Sequence, residues 1–225
     1  MNILTVKRKD FVGFLNDTMS LLWLSKKFFN PNEDTEYGML PMQCILTLSV
    51  SIEAAANCCI ESLNHHGQTS NELERLSVLG KYDVFLLSRG LGKTLDRGAK
   101  EVQSIAELKQ LRDNLVHPKS NISIFEKQKH SNCYVGSCST YKHLGIIREN
   151  GWGIEDAEEV LQKVIIFLKY YFVDQCALNL KQIKSILYSE ELIKGKISYD
   201  ETLRQQSKEL AQELKLDLSF LGLAE

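Results

Sequence analysis

Apolar residues recur at intervals of three and four along most of this chain, and that period predicts helices. Phe11, Leu15 and Leu22 mark a first helix over residues 10–29, which "NPNEDTEYG" then interrupts. Pro41 suits the first turn of a second helix, running to about residue 64. Its core stripe is Ile45, Leu48, Ile52, Ala56, Cys59 and Leu63, and its other faces are small or weakly polar. Between Pro41 and Ile60 the only charged residue is Glu53. A helix apolar on most faces is a buried one, so this is predicted to be the central helix.

A shorter helix is predicted over residues 71–87, broken at Gly80, and another over 99–117, where Pro118 stops it. Residues 119–152 read as loop with short strands near "NISIF" and "CYVG". "GWGIEDAEEVLQKVIIFLKYYFVD" predicts a strongly amphipathic helix with acids in its first turn, where the helix dipole favours them. From Lys181 the tail is more charged and predicts two further helices. The expected fold is all-α. It is an antiparallel helical bundle with an irregular insertion before its closing helix, spanning residues 1–176, followed by a helical C-terminal extension over 177–225.

One segment carries more than packing. In "LKQLRDNLVHPKS", advancing about 100° per residue from Leu108 puts Leu111, Leu115 and Ile105 on one face and Arg112 among them. Asp113 and His117, four residues apart, fall together on the far side. A guanidinium facing the core keeps its charge and therefore needs an anion or a wet cleft, and Glu53 is the obvious internal partner. Asp113 is placed to hydrogen-bond and orient His117, leaving the other ring nitrogen outward. A structural ion pair beside a solvated helix-end histidine explains the same spacing, so spacing alone does not assign a site.

Composition narrows the setting. The 225 residues are long enough for a full core, and a net charge of −2 excludes a generally polybasic protein. Charge is uneven, because residues 93–143 hold nine Lys and Arg against five Asp and Glu, a balance of +4. A locally basic stretch suits a polyanion or a solvated surface. No secretory pattern or run of about 20 uncharged apolar residues is evident, so no membrane contact is expected. Six irregularly spaced cysteines read as reduced thiols, which points to the cytoplasm.

"LRDNLVHP" resembles the signature of the HEPN superfamily (higher eukaryotes and prokaryotes nucleotide-binding domain): an Arg, a polar neighbour, and a His after four to six intervening residues. Arg112, Asp113 and His117 fit that pattern, "LSVSIEAAANCCIES" resembles the family's earlier buried helix with Glu53 in the place of its acid, and "IEDAEEVLQKVIIFLKYY" resembles its closing helix. The resemblance covers residues 10–176. It implies metal-independent RNA cleavage by 2′-hydroxyl attack, without a cofactor, in a homodimer that joins two motifs. Arg112 would hold phosphate, Asp113 would orient His117, and Asn114 would contact substrate. A toxin or defence role with a neutralising partner protein is part of that expectation. The alternative it carries is a non-catalytic module that binds a nucleotide, RNA or a partner protein.

Other constellations compete. His130, Cys133, Cys138 and His143 supply two thiols and two imidazoles that could hold zinc in a short loop, though a polar loop with free thiols accounts for them too. "RGLGKT" at Arg89–Thr94 is not a phosphate-binding loop, because the first glycine of that pattern would have to stand where Leu87 does. His65 and His66, beside Gly67, read as a solvated helix end. Trp23, Phe28 and Phe29 with Leu218, Phe220 and Leu221 are core or a partner surface.

Overall fold

The computed structural model describes residues 5–28, 39–65, 67–117, 125–127, 134–136, 141–146, 153–193, 196–199 and 201–223. Over these residues the chain is a helical bundle, as predicted, with two small antiparallel sheets added. The second helix, α2 (Met39–Glu61), is its axis. α1 (Phe11–Phe28), α4 (Val78–Ser88), α5 (Lys100–Val116) and α6 (Ile154–Lys169) all pack against it.

The sequence of α2 explains that position. Ile45, Leu48, Ala55, Ala56 and Cys59 are fully buried, and the small side chains let neighbouring backbones approach closely. Its buried hydroxyls are satisfied within the helix, Ser49 Oγ donating to Leu46 O at 2.7 Å and Ser51 Oγ to Leu48 O at 2.8 Å. By length and composition alone α2 could cross a membrane; here the other helices of the bundle pack around it.

The predicted break at Gly80 falls earlier. α3 (Gln68–Glu74) ends before Arg75, and Gly80 lies inside α4. Ser77 decides this, because its Oγ accepts the Gly80 amide at 3.1 Å and so caps the new helix. α4 then places Tyr82 in the middle of the core. Tyr82 Oη donates to Ile52 O at 3.0 Å, and Tyr171 Oη donates to Tyr82 O at 2.5 Å. The two rings stand edge to face, 4.6 Å apart, with Phe167 and Phe172 around them.

α6 starts where Asp156 accepts the Gly153 amide at 2.8 Å and continues into a π-helical turn, Tyr170–Gln175. Within that turn Tyr171 and Phe172 are both fully buried, and the Cys176 amide donates back to Tyr171 O at 2.9 Å. Sixteen residues of amphipathic helix therefore end in a widened turn that anchors the aromatic core.

The tail joins this core. Its predicted pair of helices is present as α7 (Leu180–Leu187) and α8 (Glu201–Glu213), but a hairpin that the helical reading omitted lies between them. β4 (Glu190–Ile193) pairs antiparallel with β5 (Lys196–Tyr199) and with β1 (Thr5–Lys7), giving the order β1-β4-β5 with Thr5 opposite Leu192. α8 lies on α1, where buried Ser207 Oγ donates to Asn16 Oδ1 at 3.1 Å. Leu218 and Leu221 are fully buried and Phe220 nearly so, so these three are core, whereas Phe28 is half exposed at the end of α1. β2 (Phe125–Lys127) and β3 (Tyr134–Gly136) form a second antiparallel pair that overlaps the predicted strand segments.

Candidate functional site

α5 presents Val102, Ile105, Leu108 and Leu111 to the core, each about 1% exposed, and this face fixes its rotation. Arg112 then emerges at the edge of that face. Its Nη1 stands 3.3 Å from Glu53 Oε2 of α2, as the sequence predicts, and 3.7 Å from Asp113 Oδ1. The side chains of Arg112 and Glu53 remain 33% and 35% exposed, so the pair is open to water. It sits at the rim of a small cleft of about 10 Å3, room for about one water, whose floor includes Ile52, Val78 and Ile105. A wet rim on an apolar floor is the environment a permanent cation near the core requires.

Asp113 does not orient His117. Its Oδ2 is 2.5 Å from Lys109 Nζ, one turn earlier, while Oδ1 faces Arg112. Two causes combine. Lys109 stands four residues earlier on the same face and pairs with Asp113 there. His117 has also left the helix, with φ −125° and ψ 66°, so the four-residue spacing no longer puts it beside Asp113. The His117 amide still donates to Asp113 O at 2.9 Å, while the ring is exposed and has no partner among the described residues.

Asn114, expected at a substrate, donates instead through Nδ2 to Tyr141 Oη at 2.7 Å. That bond belongs to a larger clasp between α5 and the turn at 141–146. The carboxylate of buried Glu107 accepts the amides of His143 at 2.7 Å and Leu144 at 2.9 Å, and Ser104 Oγ donates to His143 O at 3.0 Å. Sequence reasoning passed over Lys109, Glu107 and Tyr141. The four-residue spacing of Lys109 and Asp113 was a usable signal, whereas nothing local linked Glu107 to a turn 36 residues away.

Of the zinc candidates, His130, Cys133 and Cys138 lie outside the described residues; His143 is held by Glu107, whose Oε1 is 3.9 Å from its Nε2. Among the described residues no group of three His, Cys, Asp or Glu is placed to hold a metal. Cys44, Cys58, Cys59 and Cys176 are buried and form no disulfide. The "RGLGKT" segment follows α4 rather than a strand, and Asp83 ties down its continuation by accepting the Leu95 amide at 2.8 Å. His65 is exposed, His66 lies outside the described residues, and a further hollow lined by Glu53, Asn57, His65 and Lys81 adjoins the Arg112 cleft through Glu53.

The chemistry available here is that of an arginine able to clamp an anion and an exposed imidazole at the same helix end. Arg112 can hold a phosphate oxygen once Glu53 yields, and the exposed His117 ring offers two nitrogens to a ligand. Lys109, Arg112, Glu53 and Asp113 sum to zero, so the clamp is poised rather than strongly attractive. The chain matches no family model, no curated protein and no solved structure.

Proposed function

We propose that this protein is a metal-independent endoribonuclease of the HEPN type, acting as a homodimer whose two motifs share one cleft. The observation that carries the reading is the state of two motif residues. Arg112 is held by Glu53 at an open rim, and the His117 ring projects from the same helix end with no described partner.

Cleavage of this kind needs a base, an acid and a cation for the phosphorane charge. One His117 takes the 2′-hydroxyl proton as O2′ attacks phosphorus. The P–O5′ bond breaks, and the second His117 gives O5′ its proton, while the two Arg112 guanidinium groups hold the non-bridging oxygens. The products are a 2′,3′-cyclic phosphate and a 5′-hydroxyl. One protomer supplies a single motif histidine, so a twofold axis near the end of α5 is part of the proposal. A cytoplasmic location, a toxin or defence role and a neutralising partner protein belong to the same reading.

A second reading is favoured by one specific observation. Asp113 is engaged by Lys109, and Arg112 is bracketed by two carboxylates. A cleft so balanced would serve a non-catalytic module that binds a nucleotide, RNA or a partner protein.

The deciding experiment incubates purified protein with end-labelled structured and unstructured RNAs in EDTA, beside His117→Ala, with product ends identified by mass spectrometry. Cyclic phosphate ends that vanish in the variant support the nuclease. No cleavage by a folded dimer across diverse RNAs favours the binding module, and cleavage unchanged by His117→Ala removes the proposed mechanism.

A further inference from the structure

Glu53 borders two clefts. On one side it meets Arg112; on the other it opens a larger hollow of about 330 Å3 formed by α2, α3 and α4. Glu53, Asn57 and Glu61 follow at four-residue intervals, a stripe of α2 that advances about 6 Å per step. Glu74 and Lys81 complete the walls.

Lys81 is the unusual member. It is 5% exposed, and its ammonium has one acceptor among the described residues, the neutral amide oxygen of Asn57 at 2.6 Å. An ammonium has three donors, and one buried without a counter-ion calls for further acceptors.

A ligand here must answer to both signs of charge. The carboxylates alone would suit a cation, but a buried ammonium opposes one. Lys81 alone would suit a phosphate, but Glu53, Glu61 and Glu74 oppose that. A neutral group with a carbonyl acceptor beside several N–H donors satisfies both. Among nucleobases guanine has that edge, with O6 accepting and N1–H and the N2 amino group donating. The hollow is also next to the Arg112 clamp, because Glu53 lines both clefts.

We propose that this hollow is a guanine-base pocket, in which Lys81 donates to O6 while Glu61 and Glu74 accept from N1–H and the N2 amino group. It selects the nucleotide whose 3′-phosphate rests on Arg112, and in that respect it rests on the nucleotide reading given above.

Calorimetric titration of the full chain with guanosine, adenosine, cytidine, uridine, inosine and guanosine 3′-monophosphate tests this. Guanosine should bind at least tenfold tighter than the other three standard nucleosides, and inosine, lacking the amino group, should lose several-fold. Lys81→Met should abolish guanosine binding. Glu74→Gln, at an exposed position that keeps the fold, should shrink the preference for guanosine over inosine. The monophosphate should bind several-fold tighter than guanosine, and Arg112→Ala should erase that gain while sparing guanosine. Equal binding of all four nucleosides, or none by folded protein, overturns the pocket. Guanosine binding without any RNA cleavage leaves the pocket standing and counts against the nuclease; cleavage without nucleoside binding does the reverse.

Discussion

Arg112 Nη1 lies 3.3 Å from Glu53 Oε2, so an ion pair about one third open to water links α5 to the central helix α2 at the edge of their packed faces. Exposed pairs of this kind are worth little, on the order of 0.2–1 kcal/mol. A double-mutant cycle with Glu53→Gln and Arg112→Met, read by urea unfolding, should give a coupling energy within that range. Freed of its partner, Arg112 in Glu53→Gln should bind inorganic phosphate more tightly than in the parent. A coupling energy well above about 1 kcal/mol would show that the pair is structural and that Glu53 does not yield to a ligand.

His117 separates activity from stability. Its ring is exposed and unpartnered among the described residues, so His117→Ala should change unfolding free energy by no more than about 0.5 kcal/mol. On the proposed nuclease reading, RNA cleavage in the same preparation should fall at least a hundredfold. A variant that is strongly destabilised would mean the ring packs against something, and its loss of activity would then carry no mechanistic weight.

Glu107 has the opposite character. Its carboxylate accepts two amides of the 141–146 turn, and truncation leaves both without that acceptor. Glu107→Ala should cost about 1–3 kcal/mol, and hydrogen exchange should quicken at the amides of His143 and Leu144. Glu107→Gln, which keeps one acceptor oxygen, should lose less. Unchanged exchange at both amides would rule out the clasp.

Alkaline solution should unfold this protein earlier than its charge suggests. Burial pushes the Cys44 thiol up to about 12 and the Cys176 thiol up to about 11, from an ordinary 9.0, and raises Tyr82 and Tyr171 in the same direction. With folded values raised, the contribution is fully present below pH 9 and is lost as pH climbs toward 11–12, because the unfolded thiols ionise first. Each thiol contributes at most about 1.4 kcal/mol per pH unit across its window. Urea midpoints measured from pH 8 to 11 should decline above 9, less steeply in Cys44→Ala. A flat profile would contradict the burial of these thiols.

Much of the bundle is legible in the sequence because helices write their core face into local spacing. The stripes of α1, α2, α5 and α6 lie within single helices, and Glu53 stands out because its neighbours carry no charge. The start of α4 was readable in principle, since Ser77 is an N-cap residue three positions before Gly80. The β4-β5 hairpin left a fainter mark, a Lys194-Gly195 pair between two short runs. Its pairing with β1, the Glu107 clasp and the packing of α8 join residues far apart in sequence, which periodicity cannot express. At the site the spacing of Arg112 and Glu53 held, whereas Asp113 and His117 parted because the helix ends between them and Lys109 competes.

The pairing of Thr5–Lys7 with Glu190–Leu192 also sets a schedule for synthesis. Lys9 and Ser189, which hydrogen-bond beside this sheet, are 180 residues apart. At roughly 5–20 residues per second the first strand leaves the ribosome about ten to forty seconds before its partner exists. Through that interval the face of α1 that receives α8 stays uncovered. A nascent chain therefore carries all of α5 well before it can close its fold, with part of its core face waiting for the C-terminal segments.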